Sequence, residues 1–176
     1  MQKEIILTDR NIDWYWGEKM HCVLLFIALL LSGNALAEEV YPQGCRPVAI
    51  KEDIAKLTVV KPALMMVHNL SSGDLWITHP VSEPNAGAGF SSRIQAGNWS
   101  ALVMSDKIFE LSCVESMPGH EQQIPCRDVI AVCQWDKVKL STEQASSTYW
   151  AGEDMGLSPL MAYLSRCGFS LTLEAQ

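Results

Sequence analysis

The chain reads as a mainly β protein: an antiparallel, immunoglobulin-like β-sandwich with one C-terminal helix, braced by disulfides. Three observations predict this. Six to eight short runs are either apolar throughout or alternate in polarity, and turn residues separate them. Helical spacing appears once, near the C-terminus, so the βαβ rhythm of a parallel doubly wound sheet is missing. Five cysteines follow what looks like an export signal, in a context where thiols become cross-links.

The signal is Met20–Ala37, MHCVLLFIALLLSGNALA. Nine apolar residues run from Val23 to Leu31, Ser32-Gly33-Asn34 breaks the helix, and Ala35-Leu36-Ala37 places small residues where a signal peptidase reads. Cleavage is expected between Ala37 and Glu38. The residues before Met20 carry Lys3, Arg10 and Lys19 against Glu4, Asp9, Asp13 and Glu18, so they lack the positive excess of a signal's start. Residues 1–37 therefore read as an N-terminal extension plus a cleaved signal, with translation starting at Met1 or Met20. Residues 38–176 read as a single domain. The rival reading is an uncleaved anchor, which wants about 20 predominantly apolar residues. Cys22 and Cys45 both lie away from the position at which a lipoprotein is acylated.

From residue 38 onward the chain holds ten Lys and Arg against sixteen Asp and Glu, without charge blocks. Nucleic acid and anionic membrane surfaces call for clustered basic residues, so neither is an expected partner. Nor is stable membrane insertion expected after signal cleavage.

Glu38–Pro47 is polar and should run along the surface until Cys45 pins it. Leu57–Val60 and Ala63–Leu70 form one interrupted strand or two, with Pro62 marking an edge or bend. Ser71-Ser72-Gly73-Asp74 is a turn and Leu75–Thr78 a short strand stopped by Pro80, which predicts a hairpin from Leu64 to Thr78. Val81–Phe90 has the composition of an exposed loop. Ser91–Ile94 and Asn98–Met104 read as extended. In Phe109–Glu115 the residues Phe109, Leu111 and Cys113 face one way and Glu110, Ser112 and Val114 the other, the period of a half-buried strand. Met117–Arg127 reads as a polar connection. Asp128–Trp135 is apolar on both faces and so should be a central strand, and Ser147–Ala151 a last one. Leu157–Cys167 carries Leu157, Leu160, Met161 and Leu164 at helical spacing, with Ser158 as N-cap, Pro159 in the first helical position and Gly168 at the C-terminal cap.

Cys45, Cys113, Cys126, Cys133 and Cys167 allow two disulfides and a remainder. One arrangement closes a short loop with Cys113–Cys126, worth about 3 kcal/mol, and joins Cys45 to Cys133. The other places Cys113–Cys133 across two strands expected to pair and leaves Cys45 for Cys126. Cys167 is the free thiol in both. Zinc would want paired ligands at short spacing, and His68, His79 and His120 are scattered. A copper site would want His and Met near a cysteine, yet Gln134-Trp135-Asp136 follows Cys133. No metal or other cofactor is expected.

Catalytic motifs are equally thin. Gly87-Ala88-Gly89-Phe90-Ser91-Ser92 lacks the nucleophile-elbow pattern and has no Walker lysine. A hydrolase would have to assemble His79 and His120 with a carboxylate such as Glu83 or Glu121. Trp76, Trp99, Trp135 and Trp150 all fall on expected strands. Exposed aromatics anchor interfaces, and Trp76 and Trp150 are the candidates for a partner surface.

The motifs YPQGC at Tyr41–Cys45, HNLSSGDLWITHP at His68–Pro80, NWSAL, FELSC, IPC, AVCQW and TYWAG together resemble the enhanced-entry protein EnhB family of intracellular bacterial pathogens such as Legionella. The resemblance spans nearly all of residues 38–176. It implies an exported, periplasmic or secreted protein linked to entry into host cells, and it supplies no catalytic residues. The expected function is therefore non-enzymatic binding of a protein or envelope component. The alternative is a cell-envelope hydrolase, or a periplasmic carrier of a metal or small ligand.

Overall fold

The computed structural model describes residues 41–80, 90–117 and 120–171, with backbone alone for residues 116, 117 and 120. The stretch read as an export signal, the expected Ala37–Glu38 cleavage point and Glu83 lie outside these residues. Ten strands form two antiparallel sheets. The first has the order β1(Cys45–Val48), β9(Ile130–Trp135), β3(Ala63–Asn69), β6(Trp99–Met104), β10(Tyr149–Met155). The second has the order β2(Ala55–Thr58), β7(Ile108–Met117), β4(Leu75–Thr78), β5(Ser91–Ile94), and β8(His120–Ile124) pairs with the far half of β7. A short helix, α1(Cys126–Val129), precedes β9, and α2(Leu157–Arg166) follows β10.

The sheets pack face to face by strict alternation. Met65 and Val67 of β3, Leu102 and Met104 of β6, and Ile130 and Val132 of β9 meet Leu57, Leu75, Ile77, Phe109 and Leu111 of the second sheet. The residues between them, Leu64, Met66, Ala101, Val103, Cys133 and Trp135, point to the other side of the first sheet. There Leu160, Leu164 and Phe169 cover them. The first sheet is thus buried on both faces, which is why β3 and β6 read as continuous apolar runs.

Both disulfides sit in these layers. Cys45–Cys133 ties edge strand β1 to β9 on the helix-covered face, and Cys113–Cys126 lies in the core between the sheets. This is the arrangement built on the short Cys113–Cys126 loop. Its rival assumed that the strands of Cys113 and Cys133 pair, and they belong to different sheets.

Four expectations need correction. No hairpin joins Leu64 to Thr78: β3 pairs with β6 and β9, β4 with β5 and β7, and the turn between them carries the chain from one sheet to the other. Asn69 holds that crossing. Its Nδ2 donates to the carbonyls of Gly73 and Ile94, and its Oδ1 accepts from the amide and hydroxyl of Ser71. A buried Asn with every bond satisfied has a specific job, and here it spans the gap between layers. Residues 117–127 are no mere connection, because β8 pairs with the overhang of β7 and α1 follows. The strand expected from Asp128 begins at Ile130, since Asp128 and Val129 finish α1.

Finally, α2 is capped by Gly156, not Ser158, and Pro159 stands third in the helix. Gly168, at φ 83°, does close the C-terminus: its amide donates to Ser165 O and that of Phe169 to Leu164 O, the two bonds of a Schellman motif. The immunoglobulin-like label extends only to two packed antiparallel sheets. Here β1 pairs with β9, whereas in an immunoglobulin constant-type domain the first strand lies beside the second.

Candidate functional site

The acid–base group proposed for a hydrolase is not assembled. His79 follows β4, stacks on Phe109 at 4.5 Å between ring centroids, and lies 2.7 Å through Nδ1 from the carbonyl of Glu110. A carbonyl only accepts, so Nδ1 carries the proton. His120 pairs with Met117 and Glu121 with Ser116 at the far end of β7. Six or seven residues of strand separate these positions from Glu110, about 20 Å at roughly 3.3 Å per residue. General acid–base partners must lie within hydrogen-bond reach or one water apart. Among the described residues, no group of three or more His, Cys, Asp or Glu side chains is placed to hold a metal ion.

His68 lies at the opposite end of the sandwich from His79. Its ring stacks on Trp99 at 4.1 Å, nearly parallel, and its Nε2 donates to Gly97 O at 3.2 Å. Burial lowers its pKa, only partly offset by the Gly97 bond. Nearby, Asp154 takes a left-handed backbone (φ 51°). Its carboxylate accepts from the Gln95 amide, the Gln95 side chain and Asn98. Burial alone would raise its pKa, but these bonds and the charge of Arg93 hold it below the usual value. The residues of HNLSS and NWS therefore meet in space at the β5–β6 crossing.

Trp76 and Trp150 do not form one surface. Trp76 is 36% exposed on the outer face of the second sheet. Trp150 packs toward the core between the sheets and stacks on Phe90 at 5.4 Å. Phe90, expected in an exposed loop, is half-buried between Trp150 and Phe109.

A concavity of about 700 Å³ lies on the helix side of the first sheet. Three segments build it: the turn after β9 (Ser141, Glu143, Gln144), the start of β10 (Tyr149, Trp150, Ala151), and the end of α2 with its cap (Tyr163, Cys167, Gly168, Phe169). Each is held. Ser141 and Gln144 exchange hydrogen bonds within the turn, and Gln144 Nε2 reaches the carbonyl of Cys167 at 3.4 Å. At Gly152 a Cβ would meet Leu160 Cδ1 at 2.6 Å and Tyr163 Cδ1 at 3.3 Å, so the missing side chain lets α2 lie close on β10. Cys167 is a free, exposed thiol. Burial first, then Cys167 and Glu143, raise the pKa of Tyr149, and interaction with the Cys167 thiol raises that of Tyr163. Both phenols thus stay neutral beside the sulfur.

Sequence reasoning had reached Trp150 and Cys167 but not Glu143, Gln144, Tyr149, Tyr163 or Phe169. The available signal was the density of aromatic residues within and on either side of α2, at Tyr149-Trp150, Tyr163 and Phe169. No protein-family model, curated protein or solved structure matches the chain.

Proposed function

We propose that the protein is exported and acts in the periplasm or outside the cell as a non-enzymatic binding domain, engaging a protein or an envelope component. The observation that carries this reading is the pair of buried disulfides, one within each packing layer. Disulfides of this kind belong to oxidising compartments. The Met20–Ala37 signal supports the same route, with cleavage between Ala37 and Glu38. Among the described residues no helix is long and apolar enough to cross a membrane. The resemblance to the EnhB family adds a role in entry into host cells, and hence in virulence. A second reading, carriage of a small ligand, is favoured by the aromatic cleft beside α2.

Cell fractionation with N-terminal sequencing tests the proposal. The expected result is protein in the periplasmic or culture fraction beginning at Glu38, and a recurrent partner when it is cross-linked in the envelope fraction. Cytosolic protein with its N-terminal apolar stretch intact would overturn the reading.

A further inference from the structure

We propose that the cleft formed by the turn after β9, the start of β10 and the C-terminal end of α2 binds a quaternary ammonium group. The inference rests on reading the domain as a binding module and names what this cleft selects. A quaternary ammonium has a full charge, a greasy surface and no hydrogen to donate. Its recognition therefore calls for aromatic faces and diffuse negative potential, not for a fixed hydrogen-bond acceptor.

The cleft supplies both. Tyr149 on β10 and Tyr163 on α2 both line it, and each is close enough to Cys167 to interact with it electrostatically. The edge of Tyr163 is seated over Gly152, and Phe169, also in the lining, is buried. Glu143 brings an acidic side chain to the rim, close enough to act on the Tyr149 phenol. The ten-residue helix α2 ends at the cleft, so its carbonyl end adds partial negative charge. None of the lining residues is basic. Arg166, next to Cys167, is an opposing charge that acts on Tyr163 and is exposed outside the lining. A volume of about 700 Å³ leaves room for the ammonium together with part of the molecule carrying it.

The group could reach the cleft as free choline or as a phosphatidylcholine headgroup, and the test separates them. Calorimetric titration of the purified protein with choline is compared with its uncharged isostere, 3,3-dimethyl-1-butanol. Flotation with phosphatidylcholine vesicles is compared with phosphatidylglycerol vesicles. Choline should bind about tenfold or more tightly than the isostere. Glu143→Gln should weaken it about threefold, Tyr149→Leu about tenfold, and Arg166→Gln should strengthen it. Far-ultraviolet circular dichroism and the melting temperature of each variant guard against misfolding, and Arg166→Gln, remote from the core, reads in the opposite direction to damage. Binding to phosphatidylcholine vesicles alone, lost in Glu143→Gln, would assign the lipid as the source and support the proposal. Choline binding with no flotation on either lipid would assign the free compound and support the proposal; equal binding of choline and isostere, equal recovery of protein on vesicles of both lipids, or no binding to choline and phosphatidylcholine would overturn it. None of these outcomes bears on export, which fractionation tests separately.

Discussion

The two sheets solve the same packing problem under different constraints. The second sheet shows one face to the core and the other to solvent: Leu75 and Ile77 of β4 are fully buried, while Trp76 between them is 36% exposed. The first sheet has no solvent face over its central strands, because α2 covers what the sandwich leaves open. Layering of this kind changes what each sheet depends on. The second is held by one interface. The first depends on two, and its outer interface is built from one ten-residue helix, one glycine and one disulfide.

That contrast is broken most severely through the disulfides. Removing Cys45–Cys133 by paired serine substitution should cost about 4–5 kcal/mol, and removing Cys113–Cys126 about 3 kcal/mol, because the chain loops are 88 and 13 residues. Chemical denaturation of the two double variants measures the difference, and the reverse order would mean that burial outweighs loop length. Next comes Leu160→Ala, which opens a cavity between α2 and the first sheet and should cost about 2–5 kcal/mol. Hydrogen exchange would then show earlier opening on β6 and β10 than on β7.

Gly152→Ala sharpens the comparison without removing a contact. The new methyl meets Leu160 Cδ1 at 2.6 Å, so the buried Leu160 side chain must shift or α2 must move away from the strand, at about 1–3 kcal/mol in a denaturant titration.

Asp154 joins the edges of the two sheets, and its effect depends on pH. Its folded-state pKa is lowered, so the carboxylate's contribution is present at neutral pH and lost as pH falls through the folded value. Asp154→Asn should lower stability by about 1 kcal/mol at pH 7. It should also flatten the acid limb of a melting-temperature profile. The smallest effect belongs to a fully exposed side chain: Val60→Ser, at a residue 99% exposed just after β2, should change stability by less than about 0.5 kcal/mol.

Much of this was legible because burial writes itself into period. The alternation of Phe109, Leu111 and Cys113 marks a one-faced strand, and the unbroken LMMV and ALVM runs mark strands covered twice. Gly168 after a periodic run marked the helix end, because a left-handed residue is needed there. What stayed hidden depends on partners distant in the chain. β8, HEQQI, has no polarity pattern and is a strand only because β7 overhangs its neighbour β2. The Asn69–Asp74 turn looks the same whether the chain returns within its sheet or crosses to the other, and only the Asn69 bond to Ile94 distinguishes them. β10 runs on to Met155 through two register shifts, which irregular polarity conceals. The cleft draws on three segments, each too short to carry a motif, so no spacing rule reaches Glu143, Tyr149 and Tyr163 together.

The central claim is that two cross-links formed outside the reducing cytosol lock the two packing layers. Peptide mapping without reduction, on protein recovered from cells, tests it directly. The account predicts peptides joining Cys45 to Cys133 and Cys113 to Cys126, with Cys167 alone alkylated in the denatured chain. Alkylation at all five of these cysteines, or a bond from Cys167 to another cysteine of the same chain, would contradict it.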